Sequence, residues 1–154
     1  MNAESATVHD VAAYLLEQTG NLATMKFQKL LYYCNAWHLA IRDTPLFKSR
    51  IEAWRYGPVV REIYGHHRQD AAVDSWPLGK PANLTSDQKG IVDVVVQLYG
   101  AKSGWALAEM THKEDPWINA RGGLQESAHS EALISEESIR AYFRDLLRDS
   151  ATEK

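Results

Sequence analysis

Apolar residues recur at helical spacing along most of this chain, broken by short stretches rich in Gly, Pro and Asn. The most informative stretch is Thr24 to Arg42, T-M-K-F-Q-K-L-L-Y-Y-C-N-A-W-H-L-A-I-R. It contains no Gly or Pro, and Thr24 offers an N-cap, so the pattern predicts one long helix over 24–42. On a helical wheel, Phe27, Leu30, Leu31, Cys34, Trp37, His38 and Ile41 share one broad face, while Met25, Tyr32, Ala36 and Leu39 form a second. A polar strip of Gln28, Asn35 and Arg42 runs between them, and a narrower strip carries Lys26 and Lys29. A helix that is apolar on two faces needs neighbours on both. The expected architecture is therefore mainly α, a compact single-domain bundle built around this buried helix.

The flanking segments read in the same way. Thr7 caps a helix carrying Val8, Val11, Ala12, Leu15 and Leu16, with Asp10 complementing its N-terminus and Gly20-Asn21 ending it. Asp43-Thr44-Pro45 ends the central helix. Residues 46–56 alternate loosely and suggest a small β-hairpin. Tyr56-Gly57-Pro58 reads as a turn, and Pro58 as the first position of a helix carrying Val59, Val60, Ile63 and Tyr64. Gln69 to Leu84 reads as a connecting loop with Trp76 anchored on the core. Thr85-Ser86-Asp87-Gln88 forms a capping box, which favours a helix up to Tyr99 despite the β-branched residues within it. Ser103 caps a shorter helix through Trp105, Leu107, Ala108 and Met110. Asp115 with Pro116 opens a further turn carrying Trp117, and Arg121-Gly122-Gly123 a polar loop. Ser135 caps a last helix with the stripe Ile139, Tyr142, Phe143, Leu146 and Leu147. Residues 1–6 and 150–154 read as flexible tails of one domain spanning 1–154.

Composition narrows the class. A chain of 154 residues with 45% hydrophobic and 24% charged residues is long enough for a proper core and ordinary for a globular protein. No apolar run is long enough for a membrane span, no signal peptide is visible, and Cys34 is the only cysteine; together these predict a cytoplasmic protein without disulfides. The net charge of −3 argues against generic nucleic-acid binding. Residues 21–68 nevertheless hold eight basic against three acidic residues, a surface suited to an acidic partner or simply a solvated face.

Catalytic and metal signals do not rise above ordinary structural roles. Adjacent His66 and His67 diverge on a helix and read as an exposed helix end. His112-x-Glu114 matches half of a zinc-deaminase signature, but the paired cysteines that would hold the zinc are missing. Cys34 and His38 lie one turn apart in mid-helix, where packing explains both better than an activated thiol does. No phosphate-binding glycine motif and no basic recognition helix occurs. What stands out is Trp54, Tyr56 and Tyr64 beside Arg55 and Arg61 near one turn, the residue types that dominate binding hot spots.

Three motifs carry a resemblance: M-K-F-Q-K-L-L-Y-Y-C-N-A-W-H-L-A, I-E-A-W-R-Y-G-P-V-V-R-E-I-Y and T-H-K-E-D-P-W, spanning Met25 to Trp117. In this order they resemble the Panacea domain of SocA-like antitoxins. Phe27 stands where Leu is expected and Cys34 where Ala is expected, both volume changes within a core. The resemblance implies a mainly α-helical antitoxin of a bacterial or phage toxin–antitoxin pair, with a place in phage defence. It would neutralise a cognate toxin encoded nearby, and related domains bind toxins as different as alarmone-synthetase-like enzymes. One member of the family acts instead as an adaptor that delivers its toxin to the ClpXP protease, so a ClpXP-type protease is an alternative partner. The resemblance implies no cofactor, no metal and no catalytic residues. The expected toxin contacts are Lys26, Lys29, Trp54, Arg55, Tyr56, Arg61 and Tyr64. An enzyme using His112 and Glu114 as acid and base is the reading from a different class. Homo-oligomerisation stays open.

Overall fold

The computed structural model describes residues 6–152, with side chains through Ser150. In chain order the elements are α1 (Val8–Thr19), β1 (Leu22–Ala23), α2 (Thr24–Arg42), β2 (Ile51–Trp54), β3 (Gly57–Val60), α3 (Arg61–His67), β4 (Ala72–Val73), α4 (Ser86–Tyr99), α5 (Gly104–Thr111), α6 (Asp115–Arg121) and α7 (Glu136–Thr152). A 3-10 turn, Pro81–Asn83, precedes α4. The architecture is mainly α with two small antiparallel sheets. Of the tails expected at 1–6 and 150–154, residues 1–5, 153 and 154 lie outside the described residues; Ala6 is buried and α7 continues to Thr152.

α2 is the axis of the fold. Every residue from Phe27 to Ala40 is buried, with α7, α4, α5 and β3 packed around it. Tyr32, Tyr33, Phe27 and Leu30 are among the largest fully buried side chains, and each contributes about 1.5–3 kcal/mol by leaving water. Gln28 and Asn35 of the polar strip are buried too, each with a task, whereas Arg42 is exposed. Asn35 accepts from the backbone N–H of Leu46 and Phe47, pinning the chain that leaves the helix. At the C-terminus Asp43 turns left-handed at φ 68°, and its carboxylate meets Arg140 and Arg144 of α7.

The helix starts differently from the expectation. Thr24 is its first residue and Ala23 stands at the cap. The pairing of β1 with β4 explains this, because the backbone N–H of Thr24 donates to Ala71 across that ladder and needs no side-chain cap. β1 and β4 themselves fall in stretches read as connections.

The hairpin is present but lies later, over 51–60. Ile51 faces Val60 and Trp54 faces Gly57, leaving Arg55-Tyr56 as a two-residue turn. Gly57 has φ 111°, a value glycine tolerates and Pro58 could not adopt, so the chain reverses one position earlier than the Gly-Pro pair suggests. Pro58, Val59 and Val60 are therefore strand, not helix. Residues 132–134 add to the far side of β2, through Ala53 N–H to Ala132 and Ile134 N–H to Ile51. β3 is thus the edge strand, where a proline costs no ladder hydrogen bond. α6 likewise starts one residue early: Glu114 stands at the cap and its side chain turns inward instead of capping.

A cationic and aromatic cavity as the candidate functional site

The N-terminal end of α2, the hairpin turn and α3 enclose a cavity of about 370 Å³. α2 contributes Thr24, Met25, Gln28 and Lys29, and the hairpin contributes Trp54 to Tyr56 together with Val59. Tyr64 and His67 come from α3, and His129 from the strap between α6 and α7. Among the described residues that line it there is no Asp or Glu.

Lys29 is the most buried of these, 2% exposed. Its ammonium group donates to the Pro58 carbonyl at 3.1 Å, and burial pulls its pKa down to about 7. Gly57 makes room for it: a Cβ there would stand 2.5 Å from Lys29 Cε and 2.8 Å from Thr111 Oγ1. The stem of Lys29 thus lies against a glycine that the turn already requires.

Gln28 and His67 form a fixed pair beside it. The backbone N–H of Val60 donates to Gln28 Oε1 at 2.7 Å, which sets the orientation of the amide. Gln28 Nε2 then donates to the Val60 carbonyl and to His67 Nε2, the latter at 2.9 Å. His67 Nε2 is therefore an acceptor and the ring proton sits on Nδ1. That Nδ1 is buried and, among the described residues, has no acceptor beyond its own backbone carbonyl. Burial holds His67 below the usual histidine range and so keeps it neutral.

The mouth is aromatic and rigidly backed. Tyr64 meets Trp54 edge-on at 4.7 Å, and the Arg61 guanidinium lies 5.6 Å over the Trp54 ring. Arg55 lies over Tyr56, whose ring meets Trp105 edge-on at 5.4 Å. Tyr56 is 46% and Trp105 60% exposed, so together they form an outward apolar pair. Beneath them Glu52 is buried. Burial opposes its charge, but donors from Trp54, Arg50 and Arg61 outweigh that and hold it below the usual carboxylate range. From behind, the Trp117 indole N–H donates to Trp54 O at 2.7 Å, His112 bonds Arg55 O at 2.9 Å, and Arg121 donates to Ala53 O. The turn is held from one side and open on the other.

Of the seven expected contacts, Lys29, Trp54, Arg55, Tyr56 and Tyr64 line this one cavity, and Arg61 stacks on its wall. Lys29 is not on the outer surface as its helical strip suggested, because β3 covers it. Lys26 turns away and donates to Gly100 O at the C-terminus of α4. Trp105, His67, Gln28 and His129 were missed. Trp105 did carry a signal: it lies about 200° from Leu107 on the α5 wheel, off the buried side.

The other sequence candidates have structural roles. His67 is buried against Gln28, so the histidine pair is not simply an exposed helix end; His66 is exposed. His112 stacks on Trp117 and fastens the hairpin, whereas Glu114 accepts from Tyr33 OH inside the core; neither lines the cavity. Burial pushes the Cys34 thiol far up, which leaves it unreactive. Among the described residues no three His, Cys, Asp or Glu side chains converge.

The result is a small helical domain that presents a stiff aromatic and cationic face. The model of the SocA-like antitoxin family, Panacea domain, matches residues 27–118, and the chain belongs to this family. The matched stretch runs from α2 into α6 and holds all of the cavity lining except Thr24, Met25 and His129. No curated protein and no solved structure matches the chain. Membership points to a non-enzymatic antitoxin role with a toxin as the general kind of partner. Among the described residues no helix is long and apolar enough to cross a membrane.

Proposed function

We propose that this protein is a cytoplasmic antitoxin that neutralises a cognate toxin by direct binding, and that the face around the cavity mouth makes the contact. The supporting observation is the exposed pair Tyr56 and Trp105 beside Arg55, on a turn braced from behind by Trp117, His112 and Arg121. Rigid aromatics next to arginine lose little entropy on docking and make the strongest anchors; truncating a central one costs about 2–4 kcal/mol of binding.

The test is co-expression with the adjacent open reading frame, scoring growth and co-purification together. Rescue with a stable complex is expected. Tyr56→Ala, Trp105→Ala and Arg55→Glu should each weaken neutralisation while leaving the melting temperature within a few degrees. Arg61→Glu is a poorer probe, because it sets a second carboxylate against buried Glu52. Unchanged neutralisation by all three variants would move the interface elsewhere. Rescue accompanied by loss of the toxin would instead indicate delivery to a protease, which toxin half-life measures directly.

A further inference from the structure

We infer that the cavity beside α2 is a binding site for a small carboxylate with an aromatic body, its anion held by Lys29 Nζ and His67 Nδ1–H and its ring against Trp54 and Tyr64. This goes beyond the antitoxin reading and does not depend on it.

Two buried donors carry the inference. A buried lysine is ordinarily matched by a carboxylate, because an uncompensated ammonium group is costly inside a protein. Lys29 has only the Pro58 carbonyl among the described residues, which leaves most of its donor capacity unused. His67 adds an N–H that is fixed in tautomer by Gln28 and has no acceptor beyond its own backbone carbonyl. Both belong to one cavity, and the wall supplies no acid to satisfy either. An anion entering the cavity would satisfy both at once.

The rest of the lining selects the class of anion. The two buried donors, one ammonium group and one neutral N–H, match a single negative charge, as on a carboxylate, better than a phosphate dianion, and Arg55, the other cation of the lining, is stacked over Tyr56. The volume lies within the range of small-molecule sites, and Met25, Val59, Trp54 and Tyr64 give it an apolar wall. Trp54 and Tyr64, held edge-to-face at 4.7 Å, offer a corner for a planar ring.

The groups that face Lys29 are Gly57 and the Pro58 carbonyl from β3, Thr111 from α5, His67 from α3 and Gln28 on its own helix; none is negatively charged. A bound carboxylate would be the first negative charge beside it and would favour its protonated form. Binding near pH 7.5 should therefore take up about half to three-quarters of a proton.

The test uses the purified full chain and calorimetric titration with indole-3-acetate, indole-3-acetamide and inorganic phosphate. Indole-3-acetate is expected to bind at least tenfold tighter than its neutral amide and than phosphate. Repeating the titration in buffers of different ionisation enthalpy should show proton uptake, a readout that needs no variant. Lys29→Met and His67→Phe, checked for folding by thermal melts, should each lose tenfold or more and erase the preference for the acid. No binding of indole-3-acetate, equal binding of acid and amide, equal binding of phosphate, or binding without proton uptake would each overturn the proposal. So would full affinity in both variants.

Discussion

Replacing Lys29 with Met keeps an unbranched stem against Gly57 and Thr111 and removes the ammonium group. In the unfolded chain Lys29 titrates at its ordinary value of 10.5; in the fold, burial brings it to about 7. The folded state therefore binds fewer protons than the unfolded state between these values, and stability rises with pH across that window. Below pH 7 the full cost of burying the charge is present. At 1.36 kcal/mol per unit, a shift of about 3.5 units corresponds to about 5 kcal/mol. Against this, Met leaves the Pro58 carbonyl without its donor, which costs about 1–3 kcal/mol at every pH. Lys29→Met should thus be the more stable protein at pH 6.5 by about 2–4 kcal/mol. That advantage should shrink by about 3 kcal/mol by pH 9.5, where about 1.4 kcal/mol of the lysine cost remains. Urea unfolding of both proteins from pH 6.5 to 9.5 measures the difference, and groups that titrate in both cancel from it. A difference that stays constant within about 1 kcal/mol would refute the reasoning, because it would mean that Lys29 keeps an ordinary pKa through water in the cavity.

Glu114 titrates with the opposite sign. Burial, partly offset by the Tyr33 hydrogen bond, raises it to about 7, so its contribution is complete below pH 4.5 and is lost as pH rises through 7. Glu114→Gln should match the wild type near pH 4.5 and exceed it by up to about 3 kcal/mol at pH 8, read from chemical denaturation across that range. Gly57→Ala forces a side chain into positive φ and onto Lys29 and Thr111; a loss of about 2–4 kcal/mol in denaturant titrations is expected, and a neutral result would mean that the turn relaxes. Arg121 donates to carbonyls of Ala53, Gln125 and Ala128, tying the strap to the hairpin. Arg121→Met should cost about 2–4 kcal/mol and speed proteolysis within 122–132, whereas unchanged cleavage would show that the strap is held by other contacts.

Much of the site was visible in the chain because its residues are close together. Trp54, Arg55, Tyr56 and Tyr64 fall within eleven positions, and a short hairpin leading into a helix keeps such neighbours on one face. Lys29 was misplaced for the opposite reason. A helical wheel assigns it to a polar strip, but whether that strip meets water depends on β3, which arrives from about thirty residues further on. His67 and Gln28 are likewise joined by a contact 39 positions apart, and no local pattern announces it.

Periodicity, caps and breakers were sufficient for α1, α2, α4, α5 and α7, since these signals act within a turn or two of the chain. The buried status of α2 followed from apolar residues on two of its faces. The strand pairing of β1 with β4, the position of the hairpin reversal and the bridge from 132–134 to β2 depend on partners distant in sequence. The cavity depends on them most of all. Its two buried donors, Lys29 with a single carbonyl partner and His67 Nδ1, meet only because folding brings them into one cavity whose lining holds no carboxylate, and burial lowers the pKa of each. Local propensity acts over a few residues, whereas dielectric environment and polar pairing are properties of the assembled interior.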